Sequence, residues 1–488
     1  MLNSITSPLD GIRSPFGAIR NPFAAYNIGG QTPQTIADFE EDKYASANKN
    51  LGPELVTNGT FDTDSDWLFS FDWGISGGQA SSNGTTSSNI YQTGVTETGK
   101  LYQVSVDVLQ NDGSCTLRTN TAVTVIGDVI TTTGTFTFVF VAVGDRIDFR
   151  SGFNTADVII DNFSVREVVS YSPASTTAEN LLTHTRAGTA TYTDSTGTLQ
   201  TAASGVLRKD NHIWDGSSWV KRCLVEPQST NLLLNSDTLS TQGVTVTAAL
   251  HTLHFTGTGT VTLSGASTAG PLVGTGTGEQ NRVSLQFTPT AGTLTLTVTG
   301  TVSNAQLETG VQTSYIPTAG AQVTRPADAL SIDSTLLPYD STAMTIALDG
   351  EMTYADTNAI GNPTFFYWGA TSTANERIRV LMDTRSTDTG QVIFEQVIGG
   401  SPISVSSSGS AYSPDLNVPF NIASRHTSSD LNGAVDGTAL TANTTPTTLP
   451  DLSATDFQIA PTGVINIKSL RILGGYGATD AELEAATT

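Results

Sequence analysis

Gly292-Thr-Leu-Thr-Leu-Thr-Val-Thr299 alternates small or polar residues with apolar ones, position by position. Leu101-Tyr-Gln-Val-Ser-Val-Asp-Val108 and Met344-Thr-Ile-Ala-Leu-Asp-Gly-Glu-Met-Thr353 show the same two-residue period. Successive side chains of a strand point to opposite faces, so this period predicts strands with one buried and one solvated face. Apolar residues at helical spacing are almost absent, apart from a short predicted helix near 478–486. The sequence therefore predicts an all-β protein of serial antiparallel β-sandwich domains.

The amino-acid composition agrees with many tight turns and polar strand faces. Only 14% of the 488 residues are charged, against roughly 25% in an average globular protein. Thr, Ser and Gly replace the missing charged residues, and glycine alone accounts for 46 positions. A chain of this length has room for about three domains of ordinary size.

The charge balance excludes some classes of partner. There are 45 acidic and 22 basic residues, and the net charge is −23. A surface of this sign repels phosphate backbones, so we expect no nucleic-acid partner.

No apolar run approaches the roughly 20 residues that span a bilayer, and we expect no membrane insertion. The amino terminus has neither the basic region nor the apolar core of an export signal.

Motifs for catalysis are missing from the sequence. It contains no nucleophile elbow, no histidine-containing metal motif and no phosphate loop. A pair of carboxylates at glycosidase spacing stays open as an alternative. Two cysteines, Cys115 and Cys223, cannot form a disulfide framework and are expected to be small buried residues. We therefore predict that the protein is not an enzyme.

The amino-terminal segment contains a seven-residue repeat. Ser7-Pro-Leu-Asp-Gly-Ile-Arg13 is followed by Ser14-Pro-Phe-Gly-Ala-Ile-Arg20 and then by Asn21-Pro-Phe23. A proline in each unit prevents a continuous helix. One alternative is a disordered tail. The recurring apolar and basic residues instead favour an extended arm that docks on a partner protein, and the arm and its linker together cover 1–50. The predicted docking residues are Leu9, Ile12, Arg13, Phe16, Ile19, Arg20 and Phe23.

The segment 51–170 is enclosed by two short motifs. Glu54-Leu-Val-Thr-Asn-Gly-Thr-Phe-Asp62 opens it and Val158-Ile-Ile-Asp-Asn-Phe-Ser-Val-Arg-Glu167 closes it. This arrangement resembles the galactose-binding-like modules, jelly rolls that accompany many glycan-degrading enzymes. The resemblance implies carbohydrate binding through aromatic faces that stack on sugar rings and amides that orient them. The candidate carbohydrate-binding residues are Trp67, Trp73, Tyr91 and Gln92, with a place in the core as the alternative for both tryptophans.

The same resemblance implies one cofactor, a structural calcium ion where the first and last strands pair. Asn58 and Asp161 would supply oxygen ligands of the hard type that calcium prefers. The alternative is that Asp161 and Asn162 only form a turn between strands. No other cofactor is predicted.

The segment 171–330 contains separated motifs in a recognisable order. Asn231-Leu-Leu-Leu-Asn-Ser236 and Ser303-Asn-Ala-Gln-Leu-Glu-Thr-Gly310 are followed by Thr313-Ser-Tyr-Ile-Pro317 and Val323-Thr-Arg-Pro-Ala-Asp328. Together they resemble a block of bacteriophage virion proteins, especially tail fibres. The motifs that open and close this block are similar to those that enclose the segment 51–170. They predict a degenerate jelly roll over 226–318. Because this segment has few aromatic residues, we expect it to have a structural role.

The segments that flank this jelly roll have too little apolar pattern for a closed domain. Trp214-Asp-Gly-Ser-Ser-Trp219 predicts a tight hairpin. We expect 180–229 and 311–330 to be covered by other copies of the chain, which would bury Trp214, Trp219 and Tyr315. Because phage fibres are usually threefold, this interpretation predicts a homotrimer.

The segment 331–488 resembles concanavalin-like and laminin-G-like sandwiches. Its strands include Met344–Thr353 and the closing Ile465-Asn-Ile-Lys-Ser-Leu-Arg-Ile-Leu473. The resemblance is one of pattern, and no residue diagnostic of ligand binding can be placed on it.

Together these resemblances predict a structural protein on the virion surface of a tailed phage. It would be a tail fibre that attaches to other virion proteins through its arm and presents sandwiches to a host-surface glycan. A capsid-mounted head fibre or decoration protein is one alternative. A secreted bacterial glycan-binding adhesin is another, which the missing export signal disfavours.

Overall fold

The computed structural model describes residues 35–83, 87–119, 124–152, 157–357, 360–369, 375–385 and 388–488. Within these ranges the chain is nearly all β, with antiparallel sheets, and the predicted fold class is confirmed. The predicted docking residues Leu9, Ile12, Arg13, Phe16, Ile19, Arg20 and Phe23 lie outside the described residues.

The described residues of the first part of the chain form twelve strands. They are β1 (Thr35–Asp38), β2 (Lys43–Glu54), β3 (Leu68–Phe69), β4 (Trp73–Ser76), β5 (Gln79–Asn83), β6 (Asn89–Gln92), β7 (Leu101–Asn111), β8 (Cys115–Thr119), β9 (Thr124–Ile130), β10 (Gly134–Val141), β11 (Ile147–Ser151) and β12 (Asp157–Thr176). A five-stranded sheet in the order β3-β6-β11-β8-β9 packs against β10, β7, β12, β5 and β4. The alternating residues Val104, Val106 and Val108 of β7 are buried between the two sheets, as their period predicts.

The middle of the chain forms a second, smaller sandwich with flanking hairpins. Its elements are α1 (Ala178–Leu181), β13 (Leu182–Thr185), β14 (Ala190–Thr193), β15 (Leu199–Ala202), β16 (Arg208–Trp214), β17 (Trp219–Val225), β18 (Ser229–Asn231), β19 (Gln242–Val246), β20 (His251–Gly257), β21 (Thr260–Gly265), β22 (Leu272–Val273), a 3₁₀ turn (Glu279–Asn281), β23 (Val283–Phe287), β24 (Gly292–Thr299), β25 (Val302–Thr309) and β26 (Val323–Arg325). The sheet β19-β24-β21-β22 faces β23-β20-β25 across a core of its own. That core contains Leu253, Leu294 and Leu296, with Phe255 and Phe287 as its aromatic residues.

The last part of the chain completes the largest sandwich. Its elements are β27 (Ala329–Ile332), a 3₁₀ turn (Ser334–Leu336), β28 (Ala343–Thr353), β29 (Ile360–Gly369), β30 (Arg377–Asp383), β31 (Gln391–Ile398), β32 (Ser401–Ser406), β33 (Val418–Thr427), β34 (Leu431–Val435), β35 (Thr438–Ala439), β36 (Phe457–Thr462), β37 (Val464–Gly474) and α2 (Asp480–Ala486). One sheet runs β13-β27-β36-β29-β30-β31-β32, and the facing strands run β1-β37-β28-β33-β34-β35. The helix α2 is capped by Thr479, whose side chain accepts from the backbone N–H of Glu482 in a capping box.

The segments expected to reach other chains instead pack within their own. Strand β13 pairs with β27, where Leu182 lies opposite Ile332, and β17 pairs with β37, where Cys223 lies opposite Ile467. Tyr315 is 5% exposed in the same chain. The expectation that these segments depend on other copies for partner strands is therefore wrong, because their own chain supplies them. The largest sandwich pairs with β13 and β17, while β14 pairs with β15 and β18 with β26.

The expected linker before residue 50 is also corrected. Strand β1 pairs with β37, with Ala37 opposite Leu470, and β2 pairs with the long strand β12 from Tyr44 onwards. These strands join the first and largest sandwiches in one continuous sheet of 14 strands. Phe39 and Tyr44 are buried in the core of the largest sandwich, and they supply the apolar surface that holds this segment in place.

The predicted hairpin turn and the predicted burial of both cysteines are confirmed. Strand β16 ends at Trp214 and β17 begins at Trp219, and Asp215 accepts hydrogen bonds from the backbone of Ser217 and Ser218 in the turn. Both Cys115 and Cys223 are buried. In the described part of the chain, neither helix combines the length and apolar character needed to cross a bilayer.

One buried histidine predicts a loss of stability in mild acid. Burial lowers the pKa of His426 in β33 from 6.5 to about 3, so the folded protein keeps the ring neutral while the unfolded chain protonates it near 6.5. This contribution to stability is present above pH 6.5 and is lost as the pH falls toward the folded pKa. At pH 5 the expected cost is about 2 kcal/mol.

The measurement is urea unfolding at pH 7 and pH 5 for the wild type and His426→Gln. Glutamine keeps a polar side chain that can reach Gln396, whose Oε1 lies 3.2 Å from Nδ1 of His426. The wild type should lose about 2 kcal/mol more than the variant between the two pH values. Equal losses would show that His426 is not the titrating group.

Candidate functional site

Both tryptophans proposed as sugar platforms lie in the core of the first sandwich. Trp67 is 5% exposed, and its ring lies 5.1 Å from that of Phe61 and 5.2 Å from that of Phe163. Trp73 is 4% exposed and meets Phe149 edge to face at 5.9 Å. Neither ring offers a face to a ligand in this structure, so the expectation of stacking is corrected for both. They stabilise the sandwich instead.

The proposed amide of Gln92 is also occupied within the protein. Gln92 is buried, its Oε1 accepts from the backbone N–H of Thr57 at 3.2 Å, and its Nε2 donates to the Thr57 carbonyl at 2.6 Å. This pair of bonds joins β6 to the chain that follows β2. The side chain therefore has a structural role, and it is not placed to orient a sugar.

Tyr91 is the one proposed binding residue that the structure places on a surface. It is half-buried on the outer face of the five-stranded sheet, and the guanidinium carbon of Arg146 lies 3.4 Å from its ring centroid. Such a contact combines a cation with the negative face of the ring. Tyr91 is therefore held in a fixed orientation.

A row of side chains extends from Tyr91 across that outer face. By strand register, Leu68 lies opposite Tyr91, Tyr91 opposite Asp148, and Asp148 opposite Arg118. Residues opposite each other share a sheet face. Arg150 follows Asp148 by two positions and has the same orientation. We call Tyr91, Arg118, Arg146, Asp148 and Arg150 the arginine face.

The side chains of the arginine face are fixed by hydrogen bonds. Arg146 donates from Nε to Oδ2 of Asp148 at 2.8 Å and makes a second bond to Oδ1. Arg118 donates to Thr116 Oγ1 at 3.1 Å and Arg150 to Ser87 Oγ at 2.8 Å.

The electrostatics of this face differ from those of the whole chain. Burial raises the pKa of Asp148, and the bonds from Arg146 oppose that rise. Burial lowers the pKa of Arg118, as does the neighbouring charge of Arg150. Three guanidinium groups thus surround one carboxylate on a protein of net charge −23.

The predicted calcium ligands are already engaged in protein contacts. The Asn58 amide nitrogen donates to the carbonyls of Thr63 and Ser65 at 2.6 and 3.0 Å, while its oxygen accepts from the Thr63 N–H. Asp161 accepts from the N–H of Asn162, which has a φ of 50°. Both residues lie within strand β12, at a shift of its register with β7, so they do not form the turn between strands that was the alternative. Among the described residues no group of three or more His, Cys, Asp or Glu could hold a metal. The calcium site stays a prediction without geometric support.

The motifs of the central block meet in one buried cluster of charges. Arg208 donates to Glu226 at 2.6 Å and also to Asp328. Arg186 donates to the other oxygen of Asp328 at 2.8 Å, and Arg325 donates to the oxygen of Glu226 that Arg208 contacts. All five side chains are at most 7% exposed. We call Arg186, Arg208, Glu226, Arg325 and Asp328 the buried charge cluster.

A second polar network continues from this cluster into the small sandwich. Glu308 accepts from Ser229, Thr313 and Gln306, and it lies 3.0 Å from Nε2 of His254. Burial lowers the pKa of His254, and the adjacent charge of Arg282 acts in the same direction. The histidine is therefore kept neutral.

Asn231 shows why the motif that opens the block requires an amide. The fully buried side chain donates to the carbonyls of Ala305 and Ile316 at 3.0 and 2.8 Å. Its oxygen accepts from the N–H groups of Leu233 and Leu307. Two donors and two acceptors are thus satisfied at one side chain, and three separate segments are held together.

Of the arginine face only Tyr91 was predicted from the sequence, and the buried charge cluster was not predicted. A signal for the arginines was present, because Arg146, just before β11, and Asp148 and Arg150 within it alternate with apolar residues. Charged residues with period two on a strand indicate a polar outer face. The buried charge cluster includes Arg325 and Asp328 of the motif Val323–Asp328, but no local pattern pairs them with their partners, because the residues of the cluster come from segments up to 142 positions apart.

Comparisons with known proteins give only partial similarities. No protein family matches the sequence, and no characterised protein matches it either. Among solved structures, the CBM40 of Ruminococcus gnavus IT-sialidase bound to α2,6 sialyllactose is 14% identical with a TM-score of 0.26, and the match covers 32% of this chain and 92% of that one. The binding domain of botulinum neurotoxin serotype D is 8% identical with a TM-score of 0.26, covering 32% and 39%. Similarities at this level carry no argument about function.

Proposed function

We propose that the protein is a non-enzymatic glycan-binding appendage on the virion of a tailed phage. In this proposal the arginine face of the first sandwich binds an acidic host-surface glycan. The observation that carries the assignment is the stack of Arg146 on Tyr91, with Arg118 and Arg150 on the same sheet face.

The chemistry of the face favours a negatively charged sugar. Guanidinium groups bind carboxylates with directed, charge-assisted hydrogen bonds. The ring of Tyr91 adds apolar surface of the kind that packs against a sugar ring. Because the side chains stand on adjacent strands, little ordering is needed when a ligand binds.

The virion assignment is supported by the resemblance of 171–330 to phage appendage proteins. Residues of those motifs are joined in this structure, since Arg325 and Asp328 lie in the buried charge cluster and Asn231 bonds to Ala305 and Ile316. We propose attachment to other virion proteins through the arm at 1–24. A homotrimer is proposed from the resemblance alone, because Tyr315 is covered by its own chain.

The test is glycan binding by the full-length chain and by Arg118→Gln. Acidic oligosaccharides should bind more tightly than neutral ones, and the variant should lose about tenfold or more in affinity, because a hydrogen bond to a charged group contributes roughly 1.5–3 kcal/mol. Titration calorimetry at two salt concentrations measures both effects, since salt should weaken the interaction.

Arg166→Gln is the matched control, since Arg166 lies on β12 in the other sheet and donates to the Gly52 carbonyl. Its affinity should equal that of the wild type. Equal affinities for Arg118→Gln and the wild type would contradict the proposal, as would a preference for neutral glycans at this face.

A further inference from the structure

A cleft lies where the two hairpins β14–β15 and β16–β17, the small sandwich and the largest sandwich come together. It encloses about 260 Å³, close to the ~300 Å³ at the lower end of small-molecule sites. It lies at the junction of these modules, where ligand sites commonly form.

One wall of the cleft is aromatic. Trp214 and Trp219 lie on the two strands of their hairpin with ring centroids 5.4 Å apart and an interplanar angle of 60°. Trp219 packs so closely over Gly197 that a Cβ there would lie 2.5 Å from its ring. Trp214 is 39% exposed. A supported tryptophan with an accessible surface is suited to stacking on a sugar ring.

The floor of the cleft is a chain of amides. Asn211 donates to Asn466 Oδ1 at 2.9 Å, and Asn466 donates to Asn417 Oδ1 at 3.3 Å. Asn417 is the exposed end of this chain. Amides both donate and accept, as sugar hydroxyl groups do.

The lining of the cleft also includes Gln312. The Oε1 of Gln312 is buried and accepts no hydrogen bond from the described residues. A buried acceptor left unpaired costs roughly 1–3 kcal/mol. A ligand hydroxyl in the cleft would remove that cost.

The charged groups along the cleft are neutralised by the protein itself. Glu279 receives two bonds from Arg282, at 2.7 and 2.8 Å. Glu226 is paired with Arg208 and Arg325 in the buried charge cluster. The cleft therefore differs from the arginine face, and its chemistry suits an uncharged ligand rich in hydroxyl groups.

We infer that this cleft is a second carbohydrate site, which takes a neutral sugar against Trp214 with Gln312 and Asn417 contacting its hydroxyl groups. This site is independent of the arginine face in position and in charge. The two sites together would let one chain contact two different sugars of a surface glycan.

The test uses full-length protein and an array of neutral oligosaccharides at high salt, which weakens binding of acidic sugars. The wild-type protein should bind at least one neutral oligosaccharide under these conditions. The Trp214→Ala variant should bind the same oligosaccharide with an affinity that is about tenfold or more lower. Gln312→Met keeps the side-chain length and removes the acceptor, so it should also weaken binding of the neutral oligosaccharide. This variant provides the test if Trp214→Ala does not fold.

Arg118→Gln is the control that separates the two sites. It should leave neutral-sugar affinity unchanged while it weakens acidic-sugar binding. If no neutral oligosaccharide binds, or if folded Trp214→Ala and Gln312→Met both bind it like the wild type, the inference is overturned. Loss of acidic-sugar binding in Arg118→Gln would still support the proposed function in that case.

Discussion

Asp328→Asn is expected to destabilise the protein by about 3–5 kcal/mol, the range for removing one partner from a buried ion pair. The carboxylate accepts from Arg186, Arg208 and His184 in a site without solvent access. Asparagine would leave the buried guanidinium group of Arg186 without its counter-charge and would remove one of the two carboxylates that Arg208 contacts, and a charged group is very costly to bury unpaired. The change should therefore affect the whole junction between the two hairpins and the largest sandwich.

The pKa of Asp328 points in the same direction. Burial alone would raise it, but the hydrogen bond from His184 and the charge of Arg208 hold it below its usual range. A depressed pKa means that this stabilisation is complete above the unfolded value of 3.8 and is lost as the pH falls toward the folded value. Asparagine cannot titrate, so the variant should lack this acid-dependent component.

Urea unfolding at neutral pH, followed by circular dichroism, measures the effect. Glu41→Gln is the control, because Glu41 is a partner in an exposed pair with Lys43 at 3.6 Å, and exposed pairs contribute little. Its stability should stay within about 0.5 kcal/mol of wild type. A loss in Asp328→Asn no larger than that of the control would contradict the assigned role of the buried charge cluster.

Trp67→Ala is expected to destabilise the first sandwich by about 3–5 kcal/mol, as for other large aromatic residues removed from a core. The ring fills the space between Phe61 and Phe163, and its Nε1 donates to the Asn58 carbonyl at 2.9 Å. Alanine would leave a cavity and an unpaired carbonyl. Thermal and urea unfolding of the full-length protein measure the loss.

Phe71→Ala is the matched control, four positions further along the chain. Phe71 is 84% exposed, so its replacement should change stability by less than about 0.5 kcal/mol. If Trp67→Ala were as stable as this control and bound glycans less well, the ring would have a binding role and the core assignment would be wrong.

Local patterns were sufficient for much of the fold. Period-two alternation predicted β7, β24, β28 and β37, and Asp-Gly between two tryptophans predicted the β16–β17 turn. These features depend on neighbouring residues, whose side-chain directions follow from strand geometry alone. The same reasoning could not decide whether Trp67 or Trp73 lies inside or outside. The two tryptophans share a period of two with Phe69 and Phe71, yet both tryptophans are buried and both phenylalanines are exposed.

The sequence by itself determined the all-β class, the hairpins and the short carboxy-terminal helix, because each depends on residues close together in the chain. Only the tertiary structure decided that β1 pairs with β37 more than 400 residues later and that Arg186, Glu226 and Asp328 share one buried site. It also decided that Tyr91, Arg118, Arg146 and Arg150 lie on one face. Strand pairing and burial of charge depend on which distant partner satisfies each edge and each ion, and that choice is made only when the sandwiches pack together.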